Sequence, residues 1–388
     1  MKILIANPPS KKDIGGGYER YFIRSGSRWP HSGVKKKGVL PHYLPFPFFL
    51  AYAAALLKNN GFDVAVSDGV ALDKNAEDYL IDEVVGRKPD VVFFEAATPT
   101  ADDDLLFIAS VKKTTNAAVI AGGTHATTHF REMLLSPVAP DYVIRGEYEF
   151  ALLNTLKAIS AGRHPFDVKG VAFVKEDSSG VRRIIDNGVS EPIEPLDSLP
   201  LPAYDMFPSS EDTRPTIYWD GFCQMRPAIQ MHASRGCPYG CYFCLWPQVM
   251  YGSRRYRKFS PSRVVAEMEL TAERYGAREI YFDDDDFTID RNNVLEICRL
   301  IKEKGLHENK KLKWSCMGDA INIDESLVKE MASAGCIGIK FGVESASPEV
   351  LEKIGKPIRL EKILKSARMC SRLGIKTHAT FTIGLIGD

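Results

Sequence analysis

What most constrains this chain is a regular alternation of short β-rich runs with helical ones, met twice along its length. In the first half the strand candidates are Lys2–Ala6, Asp63–Ser67, Asp90–Glu95, Ala118–Ala121 and Asp141–Ile144. Amphipathic segments accompany them near 48–60, 75–87, 102–115, 128–136 and 148–161. Such alternation calls for parallel strands joined by right-handed crossovers, an α/β doubly wound parallel sheet. Ligands of these sheets bind at the carboxyl ends of the strands. Those ends carry Asn7-Pro-Pro9, Asp68-Gly69, Ala96–Thr100, Gly122-Gly-Thr-His125 and Arg145-Gly-Glu147. No G-x-G-x-x-G opens a helix and there is no P-loop, which leaves dinucleotide and nucleoside triphosphate sites with little support.

The alternation resumes in the second half. Strand candidates there are Ala228–Ala233, Glu279–Phe282, Lys313–Cys316, Gly338–Phe341 and Lys376–Ile383, with helices near 260–275, 291–304, 324–334, 347–354 and 360–373. Ser260 before Pro261 and Ser347 before Pro348 are helix starts, and Gly276, Gly305, Gly335 and Gly374 are helix stops. Repeated βα units of about 30–40 residues predict a partial TIM-type barrel with its site at the strand carboxyl ends. Between the halves, Gly170–Val174 and Val181–Ile185 read as a hairpin, and Glu191–Pro202 as a stiff proline-spaced linker. The expected domains are residues 1–162, a connector at 163–222, and residues 223–388.

Directly after the barrel's first strand lies Arg235-Gly-Cys-Pro-Tyr-Gly-Cys-Tyr-Phe-Cys244. Cys237, Cys241 and Cys244 stand at a C-x3-C-x2-C spacing, and Gly236, Pro238 and Gly240 suit a loop wrapped closely around a bulky object. Thiolates are soft ligands for zinc or iron–sulfur clusters. A structural zinc site closes with four ligands, and His232 or Cys223 would have to be the fourth. Three thiolates can instead hold a cubane cluster by three irons and leave its fourth iron open to a small molecule. The other cysteines, Cys223, Cys298, Cys316, Cys336 and Cys370, are scattered and form no disulfide framework; Cys298 and Cys370 fall in helical patterns and read as core.

Fifty basic and fifty acidic residues cancel, which gives no electrostatic argument for nucleic acid or an anionic membrane. The basic run Arg254–Lys258 reads as a solvated or substrate-facing turn. No signal peptide opens the chain, and its longest nearly apolar stretch, Phe46–Leu57, is too short to span a bilayer. These features predict a cytoplasmic location.

On the cysteine loop, with the aromatic Phe243 before its last cysteine, the chain resembles the radical S-adenosylmethionine (SAM) enzymes. The resemblance implies a 4Fe–4S cluster on Cys237, Cys241 and Cys244, with Phe243 beside it at the SAM site. Phe282-Asp-Asp-Asp-Asp-Phe287 is similar to the family segment at the end of strand two, which implies that Asp284 and Asp285 meet the amino group of SAM. Gly342-Val-Glu344-Ser345 resembles the family's strand-four end, placing Glu344 and Ser345 at the SAM ribose and carboxylate. Where the family often reads G-x-P-G after strand five, Ile386 departs from it.

The first half resembles the cobalamin-binding domain that precedes many such barrels, through Asn7-Pro-Pro9, Gly122–Thr127 and Arg145–Glu149. Leu199-Pro-Leu-Pro202 is similar to the connector of such proteins. This implies cobalamin contacts at Thr98, Gly122, Gly123, Thr124, His125, Gly146 and Glu147. The D-x-H-x-x-G string that gives cobalt a histidine in some cobalamin proteins is absent, so cobalamin binds without that ligand or the domain has lost it. The function implied is a cobalamin-dependent radical SAM methyltransferase acting on a small metabolite, reduced by a donor such as flavodoxin. A radical oxidative cyclase or rearrangement enzyme of the same architecture is the alternative, and a metal-bearing binding module without turnover is the reading from another class. Residues 15–45, rich in tyrosine and basic side chains, are a candidate lid. Radical SAM cores of this kind usually have six strands where five are counted here, so a truncation after Asp388 is expected, the alternative being that the N-terminal domain or a second subunit covers the edge of strand five.

Overall fold

The computed structural model describes residues 1–26, 31–208 and 217–388. The chain divides into two compact units. The first comprises Met1–Ile193, Leu199–Tyr218 and Gln248–Gly252; the second comprises Glu194–Ser198, Trp219–Pro247 and Ser253–Asp388.

The first unit opens with β1 (Lys2–Asn7), followed by β2 (Lys11–Gly15), β3 (Tyr18–Ile23), β4 (His31–Lys36) and helix α1 (Phe48–Asn59). Next come β5 (Asp63–Asp68), α2 (Ala76–Tyr79), β6 (Val91–Glu95), α3 (Ala101–Thr114) and β7 (Ala118–Gly122). The unit continues through α4 (Gly123–Thr128), α5 (Phe130–Leu135), β8 (Tyr142–Ile144), α6 (Glu149–Ser160), β9 (Val171–Glu176) and β10 (Arg182–Asp186). The main sheet has the order β10-β9-β8-β7-β6-β1-β5. Strands β5, β1, β6, β7 and β8 run parallel, while β8 to β9 and β9 to β10 are antiparallel. Because the first strand lies inside the sheet, the chain winds to both sides of it, the doubly wound arrangement with its switch point beside β1.

The parallel strands are legible because both faces are covered: Ile3–Ala6 and all of β6 are buried, and such strands read as unbroken apolar runs. Val92, Phe94, Val119, Ala121, Ile108 and Met133 share one core cluster. The hairpin expected as a connector is instead the antiparallel edge of this sheet, because Val171 and Ala172 pair with Ile144 and Val143. The helix expected near 75–87 is one α-turn passing into a π-helical stretch, Leu80–Val85. The helix near 128–136 is the short α5, preceded by α4, which begins on Gly123 directly after β7.

Much of the candidate lid is a three-stranded antiparallel sheet, β2-β3-β4; its residues 27–30 lie outside the described ones. The turn between β2 and β3 is Gly15-Gly16-Gly17, all at positive φ (83°, 61° and 81°), which only glycine adopts without strain.

The second unit contains β11 (Ala228–Met231), β12 (Ser234–Arg235), β13 (Arg257–Lys258), α7 (Pro261–Tyr275), β14 (Glu279–Phe282) and α8 (Arg291–Glu303). It continues with β15 (Lys313–Gly318), α9 (Glu325–Ser333), β16 (Cys336–Glu344), α10 (Pro348–Lys353), α11 (Leu360–Arg372) and β17 (Lys376–Phe381). The five strands β11-β14-β15-β16-β17 form one all-parallel sheet, the partial TIM-type barrel. The first strand stops at Met231 and the last at Phe381, each two residues short of expectation. Helices α7 and α8 press apolar stripes onto the strands through Val264, Val265 and Met268, and through Val294, Ile297 and Ile301. Ser347 caps α10 by accepting the Val350 N–H, whereas Ser260 makes no such bond and Pro261 alone sets the start of α7. Gly276 ends α7 in the left-handed region at φ 65°.

Candidate functional site

The cysteine loop leaves β12 at Gly236, whose φ is +93°. The expected basic turn is the neighbouring leg: Arg257 and Lys258 pair with Arg235 and Ser234, and Arg257 is buried. Tyr239 O–H donates to Asn322 Oδ1 at 2.9 Å, and Tyr242 N–H donates to Ile354 O at 2.9 Å. Cys237, Cys241 and Cys244 are each half-buried. The Tyr239 N–H hydrogen-bonds the Cys237 sulfur, and Asp285, Asp286 and Cys244 are near enough to act on it electrostatically. Burial raises the Cys237 and Cys241 thiols, so taking up a metal, which needs thiolates, releases protons.

The run of four aspartates after β14 ties this loop down, each in its own way. Asp283 N–H donates to Met231 O at 3.0 Å. Asp284 accepts the Ala233 N–H at 3.1 Å and the Ser234 hydroxyl; burial pushes its carboxyl up to about 7. Asp285 is half-buried and accepts the Gly236 N–H at 2.8 Å. Asp286 accepts the Thr288 N–H at 2.8 Å and the Asn322 side-chain amide at 2.7 Å, and burial pushes it up to about 6. Like charges so close are tolerable because the carboxylates of Asp284, Asp285 and Asp286 meet backbone or side-chain donors.

At the end of β16, Glu344 holds φ at +68°, and its carboxylate accepts the Thr382 hydroxyl at 2.8 Å. Ser345 Oγ accepts the Ser347 N–H at 3.1 Å. Lys356 Nζ stands 3.5 Å from Asp319 and 3.8 Å from Glu344. Neither Lys356 nor Asp319 stood out in the sequence; the available signal was a lysine between Gly355 and Pro357 just past a short helix.

In the first unit, Thr98 Oγ1 and His125 Nδ1 are 3.2 Å apart, and His125 stacks on His129 with centroids 4.6 Å apart. A β-carbon on Gly123 would stand 2.9 Å from Ala96 O, and one on Gly122 would stand 2.8 Å from the Phe93 ring. Thr124 O accepts the Thr128 hydroxyl. Gly146 N–H donates to Thr127 Oγ1 at 2.9 Å, while buried Glu147 accepts the Ile193 N–H at 2.7 Å. Sequence reading marked Asn7 and Asp68 but missed the buried Arg24, Glu95 and Asp104 of this unit. Arg24 pairs with Asp104 at 2.7 Å, both almost wholly buried, and Glu95 accepts the Tyr148 hydroxyl at 2.6 Å. Asp68 is held by Asn7 and Tyr218, both at 3.0 Å.

The family model of the Radical SAM superfamily matches residues 231–388, and that of the B12 binding domain matches residues 42–155. An "uncharacterized methyltransferase" of Pyrococcus horikoshii is 32% identical over 87% of this chain and 69% of its own length. The chain belongs to the radical SAM superfamily, with a cobalamin-binding domain before the barrel. The enzyme is also similar to the anaerobic magnesium-protoporphyrin IX monomethyl ester cyclase of Rubrivivax gelatinosus, 28% identical over 87% of this chain and 59% of the relative. Among solved structures it is similar in fold to the radical SAM methyltransferase TsrM of Kitasatospora setae. That likeness has a TM-score of 0.70 at 21% identity and covers 99% of this chain and 69% of that one.

Membership brings the enzyme's cofactors: a 4Fe–4S cluster and SAM with the barrel, cobalamin with the first domain. The donor sets agree with them. Among the described residues no three His, Cys, Asp or Glu side chains are gathered to hold a single ion. A cubane takes each thiolate on a separate iron, so three half-buried thiols spread over one loop fit it. Of the residues weighed as a fourth zinc ligand, Cys223 packs with Phe222, Ala228 and Tyr281, and Ala228 begins β11 at the end of the sheet away from the cysteine loop. His232 meets the Trp246 ring edge-on. Thr98 is exposed, and Thr124 and His125 are half-buried, so polar groups are open to a ligand at the strand ends of the first unit. Among the described residues, no helix is long and apolar enough to cross a membrane.

Proposed function

We propose that this enzyme is a cobalamin-dependent radical SAM methyltransferase that acts on a small molecule in the cytoplasm and takes electrons from a flavodoxin-type donor. The observation that carries this reading is the pairing of B12-binding and radical SAM matches in a chain 32% identical, over 87% of its length, to a methyltransferase. When bound, the cluster, SAM and methylcobalamin supply a 5′-deoxyadenosyl radical and a transferable methyl group.

The chain's own share is to bind, orient and exclude water. Cys237, Cys241 and Cys244 would hold three irons. Asp285, Glu344, Ser345 and Phe243 would face SAM. Asp284 would act one step back, fixing Ala233 and Ser234 just before the cysteine loop. Thr98, Gly122, Gly123, Thr124, His125, Gly146 and Glu147 would line the cobalamin site. The cyclase reading is favoured by the 28% identity to the magnesium-protoporphyrin ester cyclase.

One experiment separates the readings. The protein is reconstituted anaerobically with iron, sulfide and cobalamin, reduced, and given SAM carrying a deuterated methyl group. A methyltransferase forms 5′-deoxyadenosine and also S-adenosylhomocysteine, with the label on cobalamin. A cyclase forms 5′-deoxyadenosine without labelled methylcobalamin. Formation of neither product would overturn both.

A further inference from the structure

Lys356 is a cation built into the candidate site. Its side chain is only 9% exposed, and the two carboxylates flanking it, on Asp319 and Glu344, are nearly as buried, at 10% and 11%. At 3.5 and 3.8 Å these are ion pairs longer than good hydrogen bonds. Burying ions costs more desolvation energy than such long pairs return, so fold stability alone is a weak reason for the triad.

The backbone makes room for it. A β-carbon on Gly342 would stand 2.5 Å from Glu344 Oε1 and 3.1 Å from Lys356 Nζ. Glu344 occupies the left-handed region, a strained backbone for a residue that is not glycine. The triad is also pressed against the cysteine loop. Ile354 O accepts the Tyr242 N–H at 2.9 Å, and a β-carbon on Gly355 would stand 3.1 Å from Gly240 O. Cys241 lies between those two contacts. Lys356 is the next residue after Gly355, so the ammonium belongs to the segment that closes on this ligand position.

A fixed positive charge near a cluster favours the state holding one more electron, a negative charge the state without it, and a desolvated setting enlarges both effects. We infer that Lys356 is a positioning residue that raises the reduction potential of the cluster held at Cys241, with Asp319 as the opposing charge. The step it governs is the entry of one electron from an external low-potential donor, in which no bond forms or breaks. The inference rests on the radical SAM reading.

The test is a redox titration of the reconstituted full chain, followed by electron paramagnetic resonance without SAM, on wild type, Lys356→Gln, Lys356→Arg and Asp319→Asn. Poised at the wild-type midpoint, Lys356→Gln should show a reduced-to-oxidised ratio about tenfold lower, the order expected of a unit charge at a partly desolvated site. Lys356→Arg should recover most of that ratio, and Asp319→Asn should raise it. An unchanged midpoint in Lys356→Gln, or shifts of the same sign in Lys356→Gln and Asp319→Asn, would overturn the inference. If Lys356→Gln does not hold iron, Asp319→Asn decides, and an unshifted midpoint there sinks it. Iron content, the cluster spectrum and 5′-deoxyadenosine formation in wild type judge the radical SAM reading separately.

Discussion

A β-carbon on Gly236 would stand 2.1 Å from the carbonyl oxygen of Arg255, and Gly236 holds φ at +93°. Either fact alone would call for glycine. Together they fix the point at which the chain leaves β12 and turns into the cysteine loop.

Gly236→Ala should therefore be severe although it adds one methyl group. The left-handed backbone costs about 1–2 kcal/mol for alanine, and displacing the Arg255 carbonyl, which sits beside the pairing of β12 with β13, adds to that. The expected outcome is a thermal midpoint lower by several degrees and bound iron well under half of wild type. Wild-type iron content in a stable variant would show that the loop tolerates a shifted Arg255.

Replacing Cys237, Cys241 or Cys244 by alanine should leave little iron and no SAM cleavage, because each removes one of the three thiolates proposed to hold the cluster. Cys298→Ala and Cys370→Ala are the controls, since both side chains are buried in helices α8 and α11. They should cost about 1 kcal/mol of stability and leave cleavage largely intact. Full SAM cleavage in Cys241→Ala would contradict the role of the loop.

Stability should fall as pH rises through the range of Glu95. Burial pushes this carboxyl from 4.5 up to about 7, so the folded chain keeps a proton that the unfolded chain releases. Its contribution is intact below about pH 4.5, declines between about 4.5 and about 7, and is flat above. The decline is at most about 3.4 kcal/mol. Glu95→Gln removes the titration while keeping an acceptor for the Tyr148 hydroxyl. Thermal melts from about pH 5 to about pH 8 should show a gap between variant and wild type that grows in the variant's favour. A gap that does not change with pH would refute the assignment.

Cobalamin bound to the full chain should carry no histidine on cobalt. D-x-H-x-x-G is absent, and His125 is engaged with Thr98 and stacked on His129. Electron paramagnetic resonance of the Co(II) form should show no superhyperfine splitting from a protein nitrogen. A splitting that disappears in His125→Ala would mean that the cobalt takes this imidazole after all.

The parts of this molecule that could be read residue by residue are those governed by local rules. Strands β1, β6 and β7 lie inside a parallel sheet, so Ile3–Ala6 and Val91–Phe94 had to be apolar on both faces. The cysteine loop carries its ligands within ten residues, and a spacing that short is chemistry in itself. The β2–β3 hairpin was legible too, since Gly15-Gly16-Gly17 between patterned runs is a turn signal, but the basic and aromatic composition around it drew the reading toward a lid.

Everything that depends on which elements become neighbours was closed to that kind of reading. Val171 and Ala172 form a hairpin strand in either setting, and only the exposed edge of β8 makes them part of the first sheet. Lys356, Asp319 and Glu344 come from a loop after α10, the end of β15 and the end of β16; Glu344 was marked by its motif, but Lys356 and Asp319 are ordinary polar residues in sequence. Strand order brings them together, and burial then makes of them a tightly coupled charge triad. Periodicity and ligand spacing are carried by neighbours in sequence, whereas electrostatic strength depends on distance and desolvation, which exist only once the chain has folded.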